Sequence, residues 1–218
     1  MAQALPRQPP VEGPTNRLTV IPGFGGGGPP TGVRQPPISN AQLAVAIFIA
    51  FETMIFAGLL TAYWVLRSDA FAWPPPNLPR LPIAVTLVNT GLLLFSALTM
   101  SRATAAIRAG SQAGLRSALV ATAVLGVGFL AVQGSEWVRL IHQGLTLSSS
   151  TYGSTFYALI GLHAIHVLGA VVWLLAVLAI AQRQLYTKKR HAGVTLCAMY
   201  WYFVCALWVV LFAAVYVY

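Results

Sequence analysis

Five long apolar runs, joined by short polar connections, leave this chain few ways to fold. They cover about residues 40–66, 82–104, 115–140, 152–181 and 193–217. Each is about as long as the 20 or so residues that cross a hydrocarbon core as a helix. Lipid cannot satisfy exposed backbone N–H and C=O groups, so such runs must pair their own backbone as helices. A closed β-barrel would need shorter segments with period-two alternation, and the runs show none. The expected fold is therefore all-α, a polytopic membrane bundle of five transmembrane helices. Composition agrees: 57% of residues are hydrophobic and 8% charged, against about 25% charged in soluble domains.

The net charge of +9 does not point to nucleic acid. The basic residues sit in termini and loops, with no basic stripe interleaved with aromatics. Their distribution reads as membrane topology instead. Arg7, Arg17, Arg34, Arg102, Arg108, Arg116, Arg183, Lys188, Lys189 and Arg190 fall on one side, and only Arg67, Arg80 and Arg139 on the other. The positive-inside rule then puts the N-terminus in the cytoplasm and the C-terminus in the periplasm. Residues 1–38 are rich in Pro and Gly, with Gly25 to Gly28 followed by Pro29 and Pro30. Such a segment buries too little apolar surface to offset chain entropy, and is expected to be a cytoplasmic tail, disordered unless bound. Cys197 and Cys205 both lie in the fifth run and form neither a disulfide framework nor a CxxC pair.

Ionisable groups inside spanning helices are costly, about 2.5–3.5 kcal/mol each by insertion scales, so each needs a reason. Glu52 lies near mid-membrane in the first run, with no Lys or Arg at that depth. It is a candidate proton site or polar anchor; the plainer reading is a carboxyl hydrogen-bonded to a backbone or hydroxyl group nearby. Glu136 lies near the outer end of the third run, three residues before Arg139, a spacing that permits a solvated helical ion pair. His163 and His166 share one face of the fourth run. They fit either a hydrogen-bonded packing pair or, with Glu52, a metal site. They cannot both ligate one haem axially, because they approach from the same side. Asn89 in the second run is a candidate for hydrogen bonding between helices. Gly126, Gly128, Gly161 and Gly169 are expected to permit close helix approach. A membrane serine protease is not supported, since Tyr152-Gly153-Ser154-Thr155 is not a GxSxG turn.

Several strings, taken in order, resemble one family: FIAFETMIFAG at 48–58, Trp73-Pro74-Pro75, Leu87 to Thr90, QGSEW at 133–137, YGSTF at 152–156, GLHAIH at 161–166, and YWYFV at 200–204 with Trp208 after it. The set is similar to subunit III of haem-copper cytochrome oxidases and spans about residues 42–218. The resemblance implies a subunit with no catalytic, cofactor or metal site of its own. It would pack against subunit I, hold phospholipid in a cleft, sustain proton delivery and protect against inactivation during turnover. Haem and copper are then expected in subunit I, and copper in subunit II if the donor is cytochrome c. Full-length members have seven helices, and this chain looks like a five-helix form. Two positions depart: Tyr202 stands where the family usually has His, and Cys205 where it has Asp.

The expected function is thus a non-catalytic subunit III of a proton-pumping terminal oxidase in aerobic respiration, in the bacterial inner membrane. Its partners would be subunit I, subunit II, other respiratory subunits and membrane lipids. Glu52, Glu136, His163, His166 and Asn89 are the lipid- or proton-related candidates. Three alternatives stay open. One is an accessory subunit of a quinol oxidase or nitric oxide reductase. The second is a small proton-coupled transporter, whose cue would be helices broken at mid-membrane. The third is a metal-site enzyme using Glu52, His163 and His166.

Overall fold

The computed structural model describes residues 39–218 apart from Asn77, Arg80 and Tyr218. The expectation for residues 1–38 lies outside the described residues. Five helices appear, each long and apolar enough to cross a membrane: α1 (Asn40–Ser68), α2 (Ile83–Ala109), α3 (Gln112–His142), α4 (Thr151–Gln182) and α5 (Ala192–Phe212). A short π-helical turn, Ala213–Val217, continues α5. The described residues contain no strand.

Local chemistry sets the helix ends. Ser39 and Gln42 form a reciprocal capping box at the start of α1, with hydrogen bonds of 2.9 and 3.2 Å. Ser111 and Ser150 cap α3 and α4 through the amides of Gly114 and Gly153. The α2–α3 connection is only Gly110-Ser111, so these two helices run antiparallel as immediate neighbours. Gly110 ends α2 at φ 86°, a left-handed conformation that disfavours any residue with a Cβ. The second helix runs on to Ala109, past the end expected near residue 104. Ser101, Arg102 and Arg108 stop the hydrophobic run, but they do not break a helix.

Helices α2, α3, α4 and α5 close into a ring, each touching the next, while α1 lies outside against α4 and α5. Two tryptophans of α5, seven residues apart and fully buried, fill the centre. Trp201 Nε1 donates to Ser96 Oγ at 3.0 Å and Trp208 Nε1 to Thr90 Oγ1 at 2.9 Å. Gly126 of α3 makes room for the first: a Cβ there would stand 2.5 Å from Trp201 Cη2. Gly161 faces Trp137 across ordinary contact distance, whereas Gly128 and Gly169 look onto open space. Close approach is therefore a property of Gly126 and Gly161, not of all four glycines. Thr99 and Thr122 bridge α2 and α3 at 2.8 Å, and Gln133 Nε2 donates to Tyr216 OH at 3.2 Å. Without a hydrophobic drive between helices in lipid, such packing and hydrogen bonds specify the arrangement.

The first helix is held by much less. Only Glu52, Phe56 and Tyr63 of its 29 residues are buried. Their spacing makes one stripe along the side facing α4 and α5.

Candidate functional site

Glu52 reaches that stripe one turn before Phe56, and the two place a carboxyl and a ring against α4. His166 answers from α4: its Nε2 lies 2.6 Å from Glu52 Oε2, and its Nδ1 lies 2.7 Å from the carbonyl of Leu162, one turn earlier. The Leu162 oxygen can only accept, so Nδ1 carries a hydrogen and donates it. One more proton must then lie between Nε2 and Oε2, since two lone pairs would otherwise face each other at that distance. Whether that proton sits on nitrogen or oxygen, the pair is neutral overall. This is how the fold carries a carboxyl at mid-membrane without Lys or Arg. The side chains of His166 and Glu52 keep 14% and 10% of their surface exposed, so the bond sits at the flank of the bundle.

The other histidine of the face does not join this pair. His163 is fully buried, and its ring stacks on Trp208 at 5.2 Å with 28° between the planes. Phe56 stands edge-on to both imidazoles, with ring centroids 6.4 Å from His163 and 5.3 Å from His166. Neither nitrogen of His163 has a hydrogen-bond partner among the described residues. It therefore brings an unused donor and acceptor into the core, next to the Glu52–His166 bond. Among the described residues no three of His, Cys, Asp or Glu gather closely enough to hold a metal ion. The three-ligand site of Glu52, His163 and His166 considered from the sequence does not assemble.

Asn89 does link helices: its Nδ2 donates to the Phe129 carbonyl of α3 at 3.2 Å, while its Oδ1 has no partner among the described residues. Glu136 accepts from Arg139 Nη1 at 2.9 Å. The pair is not solvated on both sides, as the sequence suggested. Arg139 is 68% exposed but the Glu136 side chain only 7%, because Glu136 turns inward from α3 and only the guanidinium reaches out. Of the two departing positions, Tyr202 is 38% exposed and Cys205 is buried, with its thiol 3.8 Å from the Leu93 carbonyl.

The sequence reading offered Glu52 a backbone, a hydroxyl or a metal, and missed His166 as its direct partner. The signal was there: a lone carboxyl in the first run and a His pair in the fourth at comparable mid-helix depth, with no Lys or Arg near either. The buried tryptophan–hydroxyl pairs of α2 and α5 were also missed.

Comparison with known proteins decides what kind of bundle this is. The sequence profile of cytochrome c oxidase subunit III matches residues 32–218. The chain belongs to the cytochrome c oxidase subunit III family. A cytochrome c oxidase subunit 3 of Synechocystis is 38% identical over 176 residues, covering 80% of this chain and 74% of that protein. One from Pongo abelii is 32% identical over 193 residues, covering 83% of this chain and 70% of that protein. A quinol oxidase subunit 3 of Bacillus subtilis is 28% identical over 170 residues, covering 78% and 83%. The family is one of subunits of terminal oxidase complexes, and this member is a multi-pass membrane protein. The matched region contains all five helices, Glu52 and both histidines of α4.

Proposed function

We propose that this chain is a non-catalytic subunit of a proton-pumping haem-copper terminal oxidase in the bacterial inner membrane, with its N-terminus in the cytoplasm. It packs against the haem- and copper-bearing subunit I, holds phospholipid and sustains proton supply during turnover. The observation that carries the proton part is the 2.6 Å contact between Glu52 and His166. A shared proton at mid-membrane, largely buried where α1 meets the flank of the bundle, can be kept in reserve and exchanged without building net charge in lipid. His163, with both nitrogens unused among the described residues, lies one turn away. This role supports proton movement and does not require the chain to carry an electron or touch oxygen.

Two electron donors are represented among the relatives, cytochrome c oxidases and a quinol oxidase. The transporter alternative has less support, because the described transmembrane helices are continuous through mid-membrane. Purification of the intact complex in mild detergent tests the proposal. The chain should co-purify with haem-containing partners, and oxidation of reduced cytochrome c or of a quinol by that complex should name the donor. Isolation of the chain free of any haem protein, from membranes that retain oxidase activity elsewhere, would oppose it.

A further inference from the structure

Two recesses lie end to end on the seam between α3 and α4. The first, of about 560 Å³, runs from Trp137 and Tyr157 to Leu130 and Leu168, with Gly134 and Gly161 between. The second, of about 350 Å³, continues from Val127 and Leu175 to Val120 and Leu178. One turn of α3 separates Leu130 from Val127, so the two make a single groove. From Trp137 to Val120 it follows 17 residues of α3, about 25 Å at 1.5 Å per residue. None of its described lining residues is charged, and none belongs to α1. Ile165, Leu168 and Val127 are exposed on its rims. A Cβ on Gly134 would meet nothing within 4 Å, and one on Gly161 only the Trp137 ring at 3.7 Å. The groove is therefore deepest where this chain offers no side chain of its own.

The length of the groove selects its occupant. A lipid tail from one leaflet reaches about half of a hydrocarbon core of roughly 30 Å, so it fills about 15 Å and leaves the rest. A helix that crosses the membrane covers the whole groove. A second copy of this chain fits poorly: groove against groove leaves both unfilled. The exposed ridge of α1 at Ile47, Phe51 and Met54, set into a neighbour's groove, makes a head-to-tail contact that leaves free ends unless a ring closes. We propose that α3 and α4 receive one transmembrane helix of another chain, uncharged on the face it presents. Large aliphatic side chains of that helix, about one turn apart, enter the gaps over Gly134 and Gly161. A charged residue on the same face would meet no counter-ion in the groove. The inference deepens the partner part of the proposed function, and rests on that reading only for the presence of another chain in the complex.

Site-specific photo-cross-linking in native membranes tests it, with benzoylphenylalanine placed in turn at Ile165, Leu168 and Val127 of the full chain. All three probes should attach to one apolar stretch of a single other chain. The attachment points from Ile165 and Val127 should lie about one to two turns apart along that stretch. Gly134→Leu fills the groove from a position with open space, so the chain itself should keep its helix content by circular dichroism. The same variant should lower the cross-link yield at Ile165 at least about fivefold, the low end of what overpacking a filled contact costs. Attachment to lipid alone, or to a second copy of this chain, would overturn the proposal. So would a yield unchanged by Gly134→Leu in a folded chain. Should Gly134→Leu fail to fold, the map of attachment points decides. Co-purification with haem-containing partners while the three probes reach only lipid would sink this docking site and leave the proposed function standing.

Discussion

His166 Nε2 and Glu52 Oε2 meet at 2.6 Å although they lie 114 residues apart in the chain. Their bond is the one side-chain hydrogen bond between α1 and the four-helix ring among the described residues. A double-mutant cycle should therefore show coupling. Glu52→Ala and His166→Ala, alone and together, should give an interaction energy of about 0.6–2 kcal/mol in equilibrium unfolding of the detergent-solubilised chain. Each single variant strands a polar partner at mid-membrane, so the double variant should lose less than the sum. Additive losses would mean that the contact does not hold α1.

The centre of the ring gives a packing prediction. A methyl group at position 126 meets the Trp201 ring at 2.5 Å. Gly126→Ala should destabilise the chain by about 1–3 kcal/mol, the usual cost of overpacking a filled core. Gly128→Ala, two residues away and facing open space, should be close to neutral. Pairing Gly126→Ala with Trp201→Phe should recover much of the loss. Equal behaviour of the two glycine variants would contradict the packing described.

Topology can be read with cysteine labelling, because Cys197 and Cys205 are both buried and give little background. Lys188→Cys should react with a membrane-impermeant maleimide only after the inner membrane is opened. A cysteine at Asp69 should react from the periplasm. Periplasmic labelling at 188 would invert the orientation.

The purified chain, separated from its partners, should be colourless. A Soret band, or stoichiometric iron or copper on the isolated subunit, would contradict the assignment of all redox chemistry to other chains.

Much of the fold was legible because lipid leaves the backbone so little choice. Long apolar runs had to be helices, and Gly110 and the serine caps mark the breaks between them. The reach of α2 to Ala109 was harder to see, since hydropathy reports the membrane and not the helix, and Arg102 and Arg108 end only the first of these. The site was legible as a set of costly residues but not as contacts. Spacing puts His163 and His166 on one face, yet it cannot say that one turns to Glu52 and the other to Trp208. That split depends on where α1 and α5 pack, which no local pattern records. Glu136 shows the same limit: its spacing to Arg139 gave the ion pair, while its burial follows from the turn of α3 toward the ring.

The central claim is that this subunit supports proton supply without lying on the chemical path, and Glu52→Gln in the assembled oxidase tests it most directly. Glutamine keeps the shape and one hydrogen bond to His166, but it cannot share the proton between oxygen and nitrogen. The complex should assemble with its normal haem spectrum and begin turnover at a near-normal rate. It should then lose activity faster than wild type under sustained oxygen consumption. Abolition of the first turnover in a fully assembled complex would contradict the account, because it would put Glu52 on the obligatory path. Kinetics indistinguishable from wild type throughout would contradict it from the other side, leaving the Glu52–His166 bond a packing contact alone.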